Sequence, residues 1–188
     1  IMVKNQQEIR SLLIDSKVIQ SGHFKLNSGV HSDTYLEKFN LLQWPDLTEL
    51  ICKDIYELTK DLQPDLIVGP TTGGAIIAYE VARNYRVRSI IAEKAKNGRA
   101  IGRDYSIEPN EKVLVVDDIL TSGQSVFETI DAVKNANGTV VGVAIIADRS
   151  MQPIDFNVPS TSLVKITLQN YEENECPLCK DNVPLKAT

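Results

Sequence analysis

Val113-Leu114-Val115-Val116-Asp117-Asp118-Ile119-Leu120-Thr121-Ser122-Gly123-Gln124-Ser125 is the stretch on which the reading of the chain turns. The apolar run 113–116 reads as a short buried strand. It stops at two carboxylates, Asp117 and Asp118, at the strand end where open α/β sheets bind ligands. Thr121, Ser122, Gly123, Gln124 and Ser125 then lead into an amphipathic helix. Hydroxyls and backbone N–H groups at a helix start make an anion site, aided by the helix dipole. Gly123 lets a phosphate approach the backbone closely. Two carboxylates repel a phosphate beside them, so acids and loop must face different parts of one ligand. A sugar phosphate meets both demands, with hydroxyls to the acids and phosphate to the loop. Helix capping accounts for Thr121 or Ser122 alone but not for the acids, and no GxxxxGK[ST] loop is present.

Outward from this stretch the chain keeps one rhythm. Apolar spacing predicts helices over 6–19, 46–62, 75–84 and 124–135, and short strands at 65–69, 89–92, 112–116, 140–147 and 163–168. Segment 23–39 alternates around a Ser28-Gly29 turn and reads as a hairpin. Strands alternating with helices predict an α/β fold, a central mostly parallel sheet flanked by helices. Residues 1–44 form a small N-terminal hood, 45–170 the core and 171–188 a tail, all within one structural domain. Three loops fall at strand carboxyl ends: 69–74, 93–105 and 117–125.

Bulk properties narrow the function classes. A chain of 188 residues, 43% hydrophobic and 24% charged, fits an ordinary globular domain. A net charge of −5 argues against a general nucleic-acid binder. No apolar run reaches the roughly 18 residues of a membrane span, and the first residues lack the apolar core of a secretory signal. The expected location is the cytoplasm, with no membrane partner.

The chain has three cysteines, Cys52, Cys176 and Cys179, an odd number that gives no disulfide framework. Cys176-Pro177-Leu178-Cys179 has the spacing of a zinc knuckle or a redox pair. A four-ligand zinc site needs two more ligands. The remaining candidates, Cys52, His23 and His31, are all distant in sequence, so plain packing of the tail is the expectation. The histidines read as structural or surface residues rather than general bases.

Val115 to Gly123 resembles the ribose-phosphate signature of the type I phosphoribosyltransferases. That resemblance implies that Asp117 and Asp118 hold the ribose hydroxyls of 5-phosphoribosyl-1-pyrophosphate, and that the loop from Thr121 to Ser125 holds its 5-phosphate. Other segments are similar to the orotate phosphoribosyltransferases. Phe24-Lys25-Leu26-Asn27-Ser28-Gly29, with Ser32 and Tyr35 after it, resembles their hood motif over the base. Gly69-Pro70-Thr71-Thr72-Gly73-Gly74 resembles their pyrophosphate loop, and Ala147-Asp148-Arg149 their base-binding arginine. The resemblance implies donor contacts from Thr71, Thr72 and Gly73, and orotate contacts from Thr121, Arg149, Asn27 and Tyr35. Many members carry a basic residue where this chain has Asn27. Lys25 would point to the opposite strand face.

The segment Glu93 to Tyr105 stands where the family has a mobile catalytic loop. Lys94, Lys96, Arg99 and Arg103 cluster there, with Gly98 and Gly102 giving freedom to move. Lys94, Lys96 and Arg99 are the catalytic candidates. Cations arriving as pyrophosphate departs stabilise the transition state more than the ground state. A solvated basic loop without a role is the plainer alternative. A carboxylated pyrimidine calls for a planar bidentate donor, which favours Arg149 over a lysine.

The resemblance further implies Mg2+ bridging the donor's pyrophosphate and ribose hydroxyls, held mostly by substrate and water. Asp117 and Asp118 are the candidates for any direct metal contact. It also implies a homodimer whose loop reaches the neighbour's site. The implied reaction converts orotate to orotidine 5-phosphate in pyrimidine biosynthesis. Transfer to a purine, or a non-catalytic sensor of the donor, are the rival readings.

Overall fold

A computed structural model describes residues 4–26 and 28–187. Helix α1 (Gln6–Asp15) is opened by a reciprocal cap in which Asn5 accepts from the Glu8 backbone and Glu8 accepts from that of Asn5. It is shorter than its apolar spacing predicts. The Ser16 hydroxyl turns back to the Leu12 carbonyl at 2.7 Å, and Lys17 adopts a left-handed φ of 58°. Ile19 is therefore free to open a strand.

Strands β1 (Ile19–Lys25) and β2 (His31–Leu36) pair antiparallel. Short α2 (Phe39–Leu42) leads to α3 (Pro45–Thr59), which carries Pro45 in its first turn, where a missing N–H costs nothing. The buried side of α3 is formed by Thr48, Ile51, Cys52, Asp54, Ile55 and Thr59, whereas Leu50 and Leu58 are exposed. A 3-10 turn then leads into the core.

There β3 (Leu66–Pro70), α4 (Gly73–Tyr85), β4 (Arg88–Lys94), β5 (Arg99–Ile101), β6 (Lys112–Leu120), α5 (Gln124–Asn135), β7 (Thr139–Asp148) and β8 (Ser160–Lys165) follow in order. Among the described residues they form one sheet in the order β5-β4-β3-β6-β7-β8, parallel except for β5. This is the predicted α/β architecture of the type I phosphoribosyltransferase fold. Both faces are buried: one under α3 and α4, where Ile51, Ile55, Ile77 and Val81 pack on Ile67, Leu114 and Val116, the other under α5 through Val126, Ile130 and Val133. Strand β6 lies near the centre, which fixes its carboxyl end.

The tail supplies β9 (Asn170–Tyr171), α6 (Pro177–Lys180) and β10 (Leu185–Ala187). Strand β10 pairs parallel with β1, and β9 antiparallel with β2. Hood and tail thus share a second sheet in the order β10-β1-β2-β9.

Candidate active site

Asp117 and Asp118 sit inside the carboxyl half of β6, each only 5% exposed. Asp117 Oδ1 accepts from the Asp118 backbone at 2.8 Å, and Asp118 Oδ1 accepts from that of Ile119 at 2.6 Å. Burial and the neighbouring Asp118 charge push the Asp117 carboxyl up to about 7, with partial offset by hydrogen bonds from the Asp118 backbone and Ser125. Lys38 Nζ, from the segment between β2 and α2, lies 2.7 Å from Asp118 Oδ2. Lys38 escaped the sequence reading because nothing local separates it from any surface lysine.

The loop after β3 comes up against both acids. A Cβ on Gly73 would collide with Asp118 Oδ2, and one on Gly74 would lie 2.9 Å from Asp117 Oδ1. Only glycine lets the Thr71-Thr72-Gly73 backbone approach the carboxylates this closely. The Thr71–Thr72 peptide bond is cis.

Segment 93–105 is a β-hairpin rather than an open loop, because β4 continues to Lys94 and pairs with β5. Its cations divide into two groups. Arg99 is anchored: its guanidinium donates to the Ala92 carbonyl at 3.0 Å and to the Thr71 hydroxyl at 3.2 Å, and its side chain is 7% exposed. It braces the Thr71 loop rather than standing free in solvent. Arg103 pairs with Glu93 at 2.7 Å. Lys94 and Lys96 stay exposed, without ion-pair partners among the described residues.

Two cavities meet at the phosphate loop. One, of about 430 Å3, is lined by Lys94, Arg99, Thr121, Ser122, Gln124 and Ser125. The other, of about 620 Å3, is lined by Thr121, Ser122, Arg149, Lys165, Ile166 and Thr167. Thr121 and Ser122 belong to both. Gly123, at φ 79°, takes the N-cap position of α5 and turns the backbone into the helix. The predicted phosphate loop and Lys94 are therefore brought together, while Lys96 stays outside both linings.

Arg149 follows directly on β7, its N–H donating to the Leu120 carbonyl at 2.9 Å. Asp148 turns instead to Lys165, at 2.7 Å. Burial lowers the Arg149 pKa, and no ion-pair partner stands opposite it among the described residues. Tyr35 lies near Arg149. The Tyr35 ring lies against that of Phe24, with centroids 5.5 Å apart and the planes tilted by 33°. Asn27, the remaining orotate-binding candidate, lies outside the described residues.

Comparison with known proteins agrees with this geometry. Residues 40–175 match the phosphoribosyl transferase domain family. The chain is 43% identical over 180 residues to the orotate phosphoribosyltransferase of Caldanaerobacter subterraneus, covering 96% of this chain and 95% of that one. It is 40% identical over 181 residues to that of Caldicellulosiruptor saccharolyticus, with 96% and 95% covered. The crystal structure of orotate phosphoribosyltransferase from Aeropyrum pernix superposes with a TM-score of 0.73 at 22% identity, covering 84% of this chain and 93% of that one. With the buried acid pair, the phosphate loop and the unpaired Arg149 in place, the chain belongs to the phosphoribosyltransferase family, among the orotate phosphoribosyltransferases.

Proposed function

We propose that this chain transfers ribose 5-phosphate from 5-phosphoribosyl-1-pyrophosphate to N1 of orotate, giving orotidine 5-phosphate and pyrophosphate in pyrimidine biosynthesis. The observation that carries this reading is the pair of cavities sharing Thr121 and Ser122, with Lys94 in one and the unpaired Arg149 in the other. A donor whose 5-phosphate rests on 121–125 points its pyrophosphate toward Thr71, Thr72, Gly73 and Lys94. Its ribose C1 then faces the Arg149 side.

Each group has one task. Asp117 and Asp118 take the ribose hydroxyls, and Lys38 offsets the Asp118 charge. The amides at the start of α5 bind the 5-phosphate. Lys94 meets the charge that develops on the departing pyrophosphate. Arg149 presents a planar donor pair to the orotate carboxylate while Phe24 and Tyr35 cover the ring. Orotate arrives as an anion, so positioning and charge stabilisation suffice without a strong general base.

The acid pair suits a substrate-borne Mg2+. Asp118 is already engaged by Lys38 and burial holds Asp117 only partly ionised near neutral pH, which favours a metal held by substrate and water over direct protein bonds. When bound, Mg2+ would neutralise pyrophosphate charge.

The homodimer belongs to the same proposal. Trp44, Ile76 and Tyr79, on the neighbouring α2–α4 segments, leave large apolar side chains exposed, as a self-association face would. A cytoplasmic location fits both substrates and the free thiols.

Side-by-side assays with orotate, uracil, hypoxanthine, guanine, xanthine and adenine test the acceptor. Orotate is expected to be the strongly preferred base; preference for a purine would overturn the assignment of Arg149.

A further inference from the structure

In the sequence, Cys176-Pro177-Leu178-Cys179 has no third and fourth ligand nearby. The fold supplies them. His23 from β1 and His31 from β2 meet both cysteines beneath the tail, and one ligand atom from each of the four residues lies within 4.8 Å of all the others. His23, His31 and Cys176 are 1%, 0% and 0% exposed. Cys52, the other candidate, is buried separately between α3 and α4. From these residues we infer a structural Zn2+ site, ligated by His23 Nε2, His31 Nδ1, Cys176 Sγ and Cys179 Sγ, that fastens the tail to the hood.

The distances have the right scale. Tetrahedral zinc with bonds of about 2.0–2.1 Å to nitrogen and 2.3 Å to sulfur sets nitrogen–sulfur edges near 3.6 Å and nitrogen–nitrogen edges near 3.3 Å. Cys176 Sγ and Cys179 Sγ lie 3.5 and 3.7 Å from His23 Nε2, and Cys179 Sγ lies 3.3 Å from His31 Nδ1. The two ring nitrogens are 2.9 Å apart, which a bound ion would widen slightly.

The hydrogen-bonding arrangement points the same way. His23 Nδ1 is 2.8 Å from the Val183 carbonyl, an acceptor only, so this nitrogen carries the proton and Nε2 presents a bare lone pair. His31 Nδ1 and two sulfurs crowd that one lone pair. As a purely hydrogen-bonded cluster, His23 Nε2 has one lone pair for three neighbours turned toward it. A cation instead receives four converging lone pairs, and the Val183 contact becomes the outer support that fixes the ligand tautomer. Two thiolates and Zn2+ sum to zero charge, which suits a site buried at three of its four residues. His31 Nε2 has no partner among the described residues.

The site has a structural consequence. His23 is paired in register with Leu185, and Phe24 with Lys186, so the metal and β10 clamp the same part of β1. Phe24 stacks on Tyr35, so loss of the metal should loosen the base-covering side of the active site more than the phosphate loop.

Metal analysis of the intact chain, purified without chelator under reducing conditions, is expected to find about one Zn2+ per chain. Exchange for Co2+ is expected to give the intense ligand-field bands of a tetrahedral ion together with thiolate-to-cobalt charge transfer. The double variant Cys176→Ser/Cys179→Ser should lose both signals and raise the KM for orotate, relative to wild type, more than the KM for the donor. Wild-type protein lacking zinc after growth in zinc-supplemented medium, and giving no tetrahedral Co2+ spectrum, would overturn the inference and leave a hydrogen-bonded cluster. So would a mass showing Cys176 and Cys179 joined in a disulfide. The two wild-type measurements decide the matter even if the variant does not fold.

Discussion

Lys38 Nζ sits 2.7 Å from Asp118 Oδ2, joining the hood to the central strand through one ion pair. The aspartate is buried, whereas the lysine side chain is 36% exposed. The contact therefore fixes the position of Asp118 more than it stabilises the fold. Lys38→Ala should cost only about 1 kcal/mol in urea unfolding, given the solvent around the lysine. It should raise the donor KM by roughly tenfold, since it leaves a buried carboxylate uncompensated beside the ribose. An unchanged donor KM would show that the pair has no part in binding.

Gly73 is required by its distance from the same carboxylate. Gly73→Ala places a methyl group against Asp118 Oδ2, so the pyrophosphate loop must retreat. Calorimetric titration with the donor should show affinity falling by roughly 10- to 100-fold, about 1.4–2.8 kcal/mol. Circular dichroism should show the fold retained.

The raised Asp117 pKa gives a pH dependence of stability with a definite sign. Below about pH 4 both folded and unfolded chains hold this proton. From there to about 7 the unfolded chain ionises while folded Asp117 stays protonated. The contribution of Asp117 is thus fully present at low pH and lost as pH rises through 7. Ligand-free wild-type protein should lose stability relative to Asp117→Asn across that window, by on the order of a few kcal/mol. Urea midpoints of both proteins at pH 5 and pH 8, read as a difference, check this.

Lys94 and Arg149 should separate chemistry from acceptor binding. Lys94→Ala should lower kcat by roughly 100-fold or more with donor affinity nearly intact, because its contact strengthens only as charge develops. Arg149→Lys should raise the orotate KM by roughly 10- to 100-fold and leave the donor KM within about twofold, since an ammonium cannot reproduce the bidentate fork. Steady-state kinetics varying each substrate in turn would distinguish these patterns from general damage.

What could be read from the sequence follows the range of the interactions. The α/β order and the loop into α5 are local patterns, and the structure places them where their spacing implies, whereas the acids lie inside β6, which runs on to Leu120 instead of stopping at Val116 because β7 continues to pair with it. The cationic segment was legible only as composition. That Arg99 would fold back on Thr71 while Lys94 stayed exposed depends on the pairing of β4 with β5, a contact between strands. Lys38 meets Asp118 across 80 positions, and His23 meets Cys176 across 153. No local signal announces either partner. Leu12, Leu13 and Val18 continue an apolar rhythm that predicts a longer α1, whereas Lys17 breaks the backbone at a left-handed turn.

The central claim is most directly tested by mixing the protein with the donor, orotate and Mg2+ and following orotate absorbance and pyrophosphate release together. The account predicts that both proceed in equal amounts, with orotidine 5-phosphate as product. Pyrophosphate release without orotate loss, or donor binding with neither, would contradict it.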